Sequence, residues 1–138
     1  MSPIATVKQQ VAMRPLWMNA IFLFCIYMTF IYLPWDVLFK TLSEDQEVWF
    51  GVLFTGWAAK AGGVLHWIVY GVAAYGYWKM KRWMHPWAIV YLLQIALGMF
   101  IWSLLDARSG GLIAGIVVGT FFVGLALLSW RARALFST

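Results

Sequence analysis

DVLFKTLSEDQEVWFGVLFTGWAAKAGGVLH, residues 36–66, decides how the chain is read, because it gathers four of the five acidic residues together with an isolated Lys60 and His66. Almost everything on either side is apolar. Within the stretch, Ser43-Glu44-Asp45-Gln46 has the pattern of a helix start, with a Ser hydroxyl available to accept from the backbone N–H three residues on and Gln46 able to reach back. Glu44, Asp45 and Glu47 would then occupy the first turn, at the positive end of the helix dipole. The spacing predicts a helix running from residue 48 to residue 79. At about 1.5 Å per residue its apolar part is roughly 46 Å long, against about 30 Å of bilayer hydrocarbon. A helix of that length tilts strongly or bends near Gly62-Gly63, where the missing side chains make a kink cheap.

The composition sets the class. Hydrophobic residues make up 64% of the 138 and charged residues 11%, whereas soluble domains carry roughly a quarter charged residues. The expected fold is an all-α integral membrane protein, a single membrane domain of four transmembrane helices in an antiparallel bundle. Spans are expected at 16–35, 48–79 with the crossing mainly at 60–79, 83–105 and 112–130. Pro34 and Asp36 close the first, Lys79, Lys81 and Arg82 follow the second, and Asp106 to Gly111 form a turn between the last two. No cleaved signal peptide is expected, since the apolar run at 16–35 exceeds the usual 7 to 15 residues or so.

The net charge of +5 is not a nucleic-acid footprint, because the basic residues sit at helix ends. Lys8, Arg14, Lys79, Lys81, Arg82, Arg131 and Arg133 fall on one side of the predicted topology, and Lys40 and Arg108 on the other. The positive-inside rule places both termini in the cytoplasm, in an inner (plasma) membrane of bacterial type. Trp17, Trp78, Trp83, Trp87 and Trp130 on one side, and Trp35, Trp49 and Trp102 on the other, read as two aromatic belts at headgroup depth. The single Cys25 lies in an apolar run, which excludes a two-cysteine redox mechanism.

Ionisable groups inside hydrocarbon cost several kcal/mol and so point to function. The candidate acid–base residues are Lys60, His66, Asp36, Glu47 and Asp106, with Asp36 and Asp106 the expected anions for Lys60. A ligand wall would come from Trp57, Trp67, Tyr70, Gln94 and Thr29. Each has a plainer reading: Lys60 snorkelling to the interface, His66 bonded to a neighbour as helix glue, the acids capping a helix. The histidines His66 and His85 belong to different ends of the bundle and no ligand spacing links them to the carboxylates, so no metal and no cofactor is expected. Gly111, Gly115 and Gly119 form a stripe that admits a closely packed helix, from this chain or from another.

No motif names a reaction. Two functions compete: an accessory or assembly subunit packing against a larger membrane complex or another copy of itself, and an enzyme or binding protein for an isoprenoid, sterol-like or lipid molecule. The first needs no site. The second places a polar site in the outer half of the bundle. Whether the chain is an enzyme stays open at this level, and the bilayer itself is the one partner the composition demands.

Overall fold

The computed structural model describes residues 2–138 and is mostly helical. Ser2 caps a short first helix, its hydroxyl accepting from the Ala5 amide at 3.2 Å, and Pro3 fits the first turn where no donor is needed. This helix, α1 (Pro3–Ala12), leaves Ile4, Val7 and Val11 exposed along one face. Pro15 restarts the chain as α2 (Leu16–Tyr27), which passes through a π-helical turn (Met28–Tyr32) into α3 (Leu33–Leu38). The wide turn has local causes. Pro34 has no N–H for the ladder, and the Thr29 hydroxyl donates back to the Cys25 carbonyl at 2.7 Å. Because the π turn absorbs the proline, the first apolar helix runs on to Leu38 and carries Asp36 into its last turn, instead of closing at residue 35.

The predicted helix start at Ser43 does not form. Residues 46–55 make an antiparallel hairpin, β1 (Gln46–Trp49) against β2 (Val52–Thr55), with Trp49 opposite Val52 and Glu47 opposite Phe54. Phe50 and Gly51 are the two turn residues and both take positive φ, 52° and 82°, the backbone of the tight turn whose twist suits a hairpin. The long helix begins only after it, as α4 (Gly56–Lys79), and runs uninterrupted through Gly62-Gly63. Two further helices follow, α5 (Met84–Leu105) and α6 (Gly111–Arg131), then a short 3-10 turn (Arg133–Leu135).

Leu16–Leu38, Met84–Leu105 and Gly111–Arg131 are long and apolar enough to cross a membrane. Little of each is buried inside the molecule, 17 to 28%, as expected of helices whose outer faces meet lipid rather than water. The fourth, α4, matches them in length with 24 residues but, interrupted by Lys60, His66 and its glycines, not in apolarity. The expected count of four crossings therefore stands at three by length and composition.

The helices α5 and α6 pack along their length. The glycine stripe serves that contact: a Cβ at Gly115 would lie 3.0 Å from the Ser103 Cβ, and one at Gly119 would lie 3.5 Å from the Ala96 carbonyl oxygen. Gly111 does something else, taking φ +75° at the start of α6 with open space around it. Ser109 closes α5 by donating to the Trp102 and Ser103 carbonyls at 3.1 and 3.0 Å. At one end of the molecule Met18, Cys25, Tyr77, Met84 and Phe136 form the main buried cluster. There Arg14 donates to the Tyr77 carbonyl at 2.8 Å, the Thr138 amide to the Met80 carbonyl at 3.2 Å, and Arg82 to the Ser137 carbonyl at 3.1 Å. The hairpin and the α5–α6 turn occupy the opposite end.

Candidate functional site

The site is built where the hairpin lies across α4 and the C-terminal turn of α3. Residues on one face of a helix recur every three or four positions, and Ala59, Gly62-Gly63, His66 and Tyr70 are such a face of α4. Its glycines are what let β1 come close. A Cβ at Gly62 would stand 2.7 Å from the Trp49 Nε1, and one at Gly63 would touch the Val37, Asp36 and Glu47 side chains. The pair therefore serves as a seat for the hairpin within a continuous helix.

Lys60 is half-buried and has partners for every donor. Its ammonium donates to the backbone carbonyls of Asp36 (2.8 Å), Val37 (3.1 Å) and Lys40 (2.7 Å), at and just beyond the C-terminal turn of α3. Carbonyls at a helix C-terminus lack intrahelical donors and carry the negative end of the dipole, so a cation from a neighbouring helix is a natural cap. The Asp45 carboxylate, 1% exposed, stands 2.9 Å from the same nitrogen. Since an ammonium has three N–H groups and all three point at carbonyls, Asp45 contributes charge neutralisation rather than a fourth hydrogen bond. Neither of its oxygens has a hydrogen-bond partner among the described residues.

Two more pairs complete the cluster. Asp36, 2% exposed, meets the Lys40 ammonium at 3.1 Å, four residues on. Glu47 meets the His66 Nδ1 at 2.5 Å, and the Trp49 indole stacks on the imidazole with centroids 3.8 Å apart and planes inclined by 11°. With His66 protonated the six side chains form three neutral pairs, and with it neutral they carry one net negative charge. Glu47 on Nδ1 fixes the ring orientation. From His66 an aromatic row continues inward through Tyr70, 6.1 Å away, to Tyr91, 5.9 Å further on.

Of the residues singled out from sequence, Lys60, His66, Asp36 and Glu47 come together here. Asp106 does not. It binds Arg108 two residues on, at 2.9 Å from both Nε and Nη2, and those bonds together with the Arg108 amide hold its carboxyl below the usual carboxylate range. Trp57 is 78% exposed on the outer surface. Trp67 donates to the Thr29 carbonyl at 2.8 Å, so these two tie α4 to the π turn. Tyr70 packs edge-on against Phe24 and Tyr91, and Gln94 is half-buried on α5 with no hydrogen bond among the described residues.

Three members escaped the sequence reading: Asp45, Lys40 and Trp49. Asp45 and Trp49 enter through the hairpin, whose signal was present as a β-branched and aromatic run broken by Phe50-Gly51. Among the described residues no three His, Cys, Asp or Glu side chains are arranged to hold a metal ion. Two surface grooves lie elsewhere, one along α6 and one between α1, α2 and α4. No known protein family, no curated protein and no solved structure matches the chain.

Proposed function

We propose that the chain is a small polytopic protein of a bacterial inner membrane, crossing it four times with both termini cytoplasmic, and that it acts as an accessory or assembly subunit of a larger membrane complex. One observation carries the reading: the open edge of β2. All four of its residues are exposed, Val52 by 52%. A two-residue turn makes Trp49–Val52 the closing hydrogen-bonded pair, so by alternation the Leu53 N–H and C=O point away from β1. They have no hydrogen-bond partner among the described residues. The hairpin tip rests on Gly98, whose Cβ position is 3.5 Å from the Gly51 nitrogen, about 10 Å inside the end of α5 at 1.5 Å per residue. At that level a bare strand edge is costly against lipid, and another polypeptide is its natural cover.

The six-residue charge cluster fits the same role. Its members pair with one another and anchor the hairpin, leaving the edge presented on a rigid base. The alternative reading, an enzyme or binding protein for a hydrophobic molecule, is favoured by the His66 imidazole at the head of the Tyr70–Tyr91 aromatic row. Purification of the tagged protein from native membranes in mild detergent separates the two. A stoichiometric partner, lost in Leu53→Pro, which removes the outward donor without touching a hairpin hydrogen bond, is the expected result. A pure protein retaining a lipid-like molecule that His66→Ala releases would overturn it.

A further inference from the structure

At the basic end of the molecule, α1 roofs a groove of about 580 Å³ floored by α2 and α4. Its walls are Val7, Phe22, Ile26, Ala74 and Tyr75, with Gly71 leaving the floor open. The volume is in the range of small-ligand sites, roughly 300–1,000 Å³. Such a slot suits a hydrocarbon chain. What singles it out from an ordinary lipid-facing surface is the charge beside it.

Arg14 lines the groove and is only 5% exposed. Its guanidinium donates to the Gln10 carbonyl and side-chain oxygens, to the Asn19 Oδ1 and to the Tyr77 carbonyl. Every one of these is neutral. Of five N–H donors one remains, and no carboxylate pairs with it. Burial without a counterion pulls its pKa below the ordinary arginine value. Phe22, a wall of the groove, lies under the cation at 4.4 Å. A second cation adjoins a lining residue: the Lys79 ammonium is 5.0 Å from the ring of Trp78, and it too has no acidic side-chain partner among the described residues.

Among the described residues no Asp or Glu side chain lies near these two cations. Asp36, Glu44, Asp45 and Glu47 lie in the α3–hairpin region and Asp106 in the α5–α6 turn, at the other end. We propose that the groove is a binding site for one anionic phospholipid, with an acyl chain lying between α1, α2 and α4 and the phosphate meeting Arg14 and Lys79. The apolar face of α1, Val7 and Val11 at the groove and the exposed Ile4 beyond it, would hold α1 at the membrane surface, at the level where a headgroup sits.

Native mass spectrometry of the detergent-purified protein tests this, by titration with palmitoyl-oleoyl phosphatidylglycerol and with phosphatidylcholine of the same chains. We expect one phosphatidylglycerol to bind at least about fivefold more tightly than phosphatidylcholine, and Lys79→Gln, an exposed substitution, to reduce that preference roughly fivefold, since one basic residue near a membrane surface contributes a factor of that size. Gly71→Leu fills the floor and should weaken both lipids; the first added atom, a Cβ, meets nothing closer than the Thr29 Cγ2 at 3.6 Å, an ordinary contact distance. Equal binding of the two lipids to the wild-type protein would overturn the anionic site, and unchanged binding in Gly71→Leu would overturn its placement. Lys79→Gln reads out the charge even if Gly71→Leu fails to fold.

Discussion

The lysine at position 60 shows how one buried charge organises its surroundings. Its isolation in an apolar run marked it as a group needing an anion, with Asp36 and Asp106 as the expected partners. The structure gives it the Asp36 backbone rather than the Asp36 carboxylate, and Asp45 as the neutralising charge. Lys60→Met would strand Asp45 in a site with almost no solvent and uncap three carbonyls at the end of α3. Truncating one member of a buried pair costs about 3–5 kcal/mol, whereas removing a freely snorkelling lysine would be neutral or slightly stabilising. We therefore expect a large drop in thermal stability in detergent for Lys60→Met, a partial recovery when Asp45→Asn is added, and strict additivity between Lys60→Met and Asp106→Asn. A Lys60→Met protein that melts like wild type would remove the pairing.

At the scale of elements, long apolar runs were legible and short mixed ones were not. The expected spans at 83–105 and 112–130 fall within a residue or two of α5 and α6, because nothing inside those runs competes with helix. The first span ends three residues late, since a π turn accommodates Pro34 in a way composition does not announce. Residues 43–55 were misread because a capping pattern and a hairpin pattern overlap there, and the choice between them rests on tertiary contact: Gly51 against α5 and Trp49 over His66. The candidate site inherited that misreading. Residues on α3 and α4 were found from sequence, and those delivered by the hairpin were mostly not.

The same contacts supply a paired test. A Cβ at Gly51 would lie 2.3 Å from the Ile101 Cγ2, in a backbone with φ +82°, while Gly56 shares the sign of φ with nothing within 4 Å. Both alanine variants incur left-handed strain of about 1–2 kcal/mol, and only Gly51→Ala adds overpacking of about 1–3 kcal/mol. On α6, Gly115→Leu should cost about 1–3 kcal/mol for the same reason, and Gly124→Leu, which faces open space, should stay within about 0.5 kcal/mol. Thermal melts of the four variants read this directly. Equal costs for Gly51→Ala and Gly56→Ala would mean the hairpin is not docked on α5.

For the whole molecule, charge is segregated along the helix axes, with seven basic residues at the end where α1, the α4–α5 connection and the C-terminal turn meet, and all five acids in the α3–hairpin region and the α5–α6 turn. That arrangement bears on the crossing count. If only Leu16–Leu38, Met84–Leu105 and Gly111–Arg131 crossed, the two ends of the described chain would lie on opposite sides of the bilayer. Yet Arg14 is hydrogen-bonded to Tyr77 and Thr138 to Met80, so the segment before α2 and the segment after α6 meet the same end of α4. The proposed returning crossing by α4 would reconcile the two facts, with Lys60 and His66 tolerated because each is paired. On the proposed topology, the positive-inside rule puts the basic end in the cytoplasm. Single cysteines placed at the exposed Ser43 and Ala107 should react with an impermeant thiol reagent on intact cells, and one at Ser137 should react only after lysis; the native Cys25 is buried and adds little background. Labelling of Ser137 alone would invert the orientation, and labelling of Ser43 without Ala107 would show that α4 and its neighbours do not cross as a set of four.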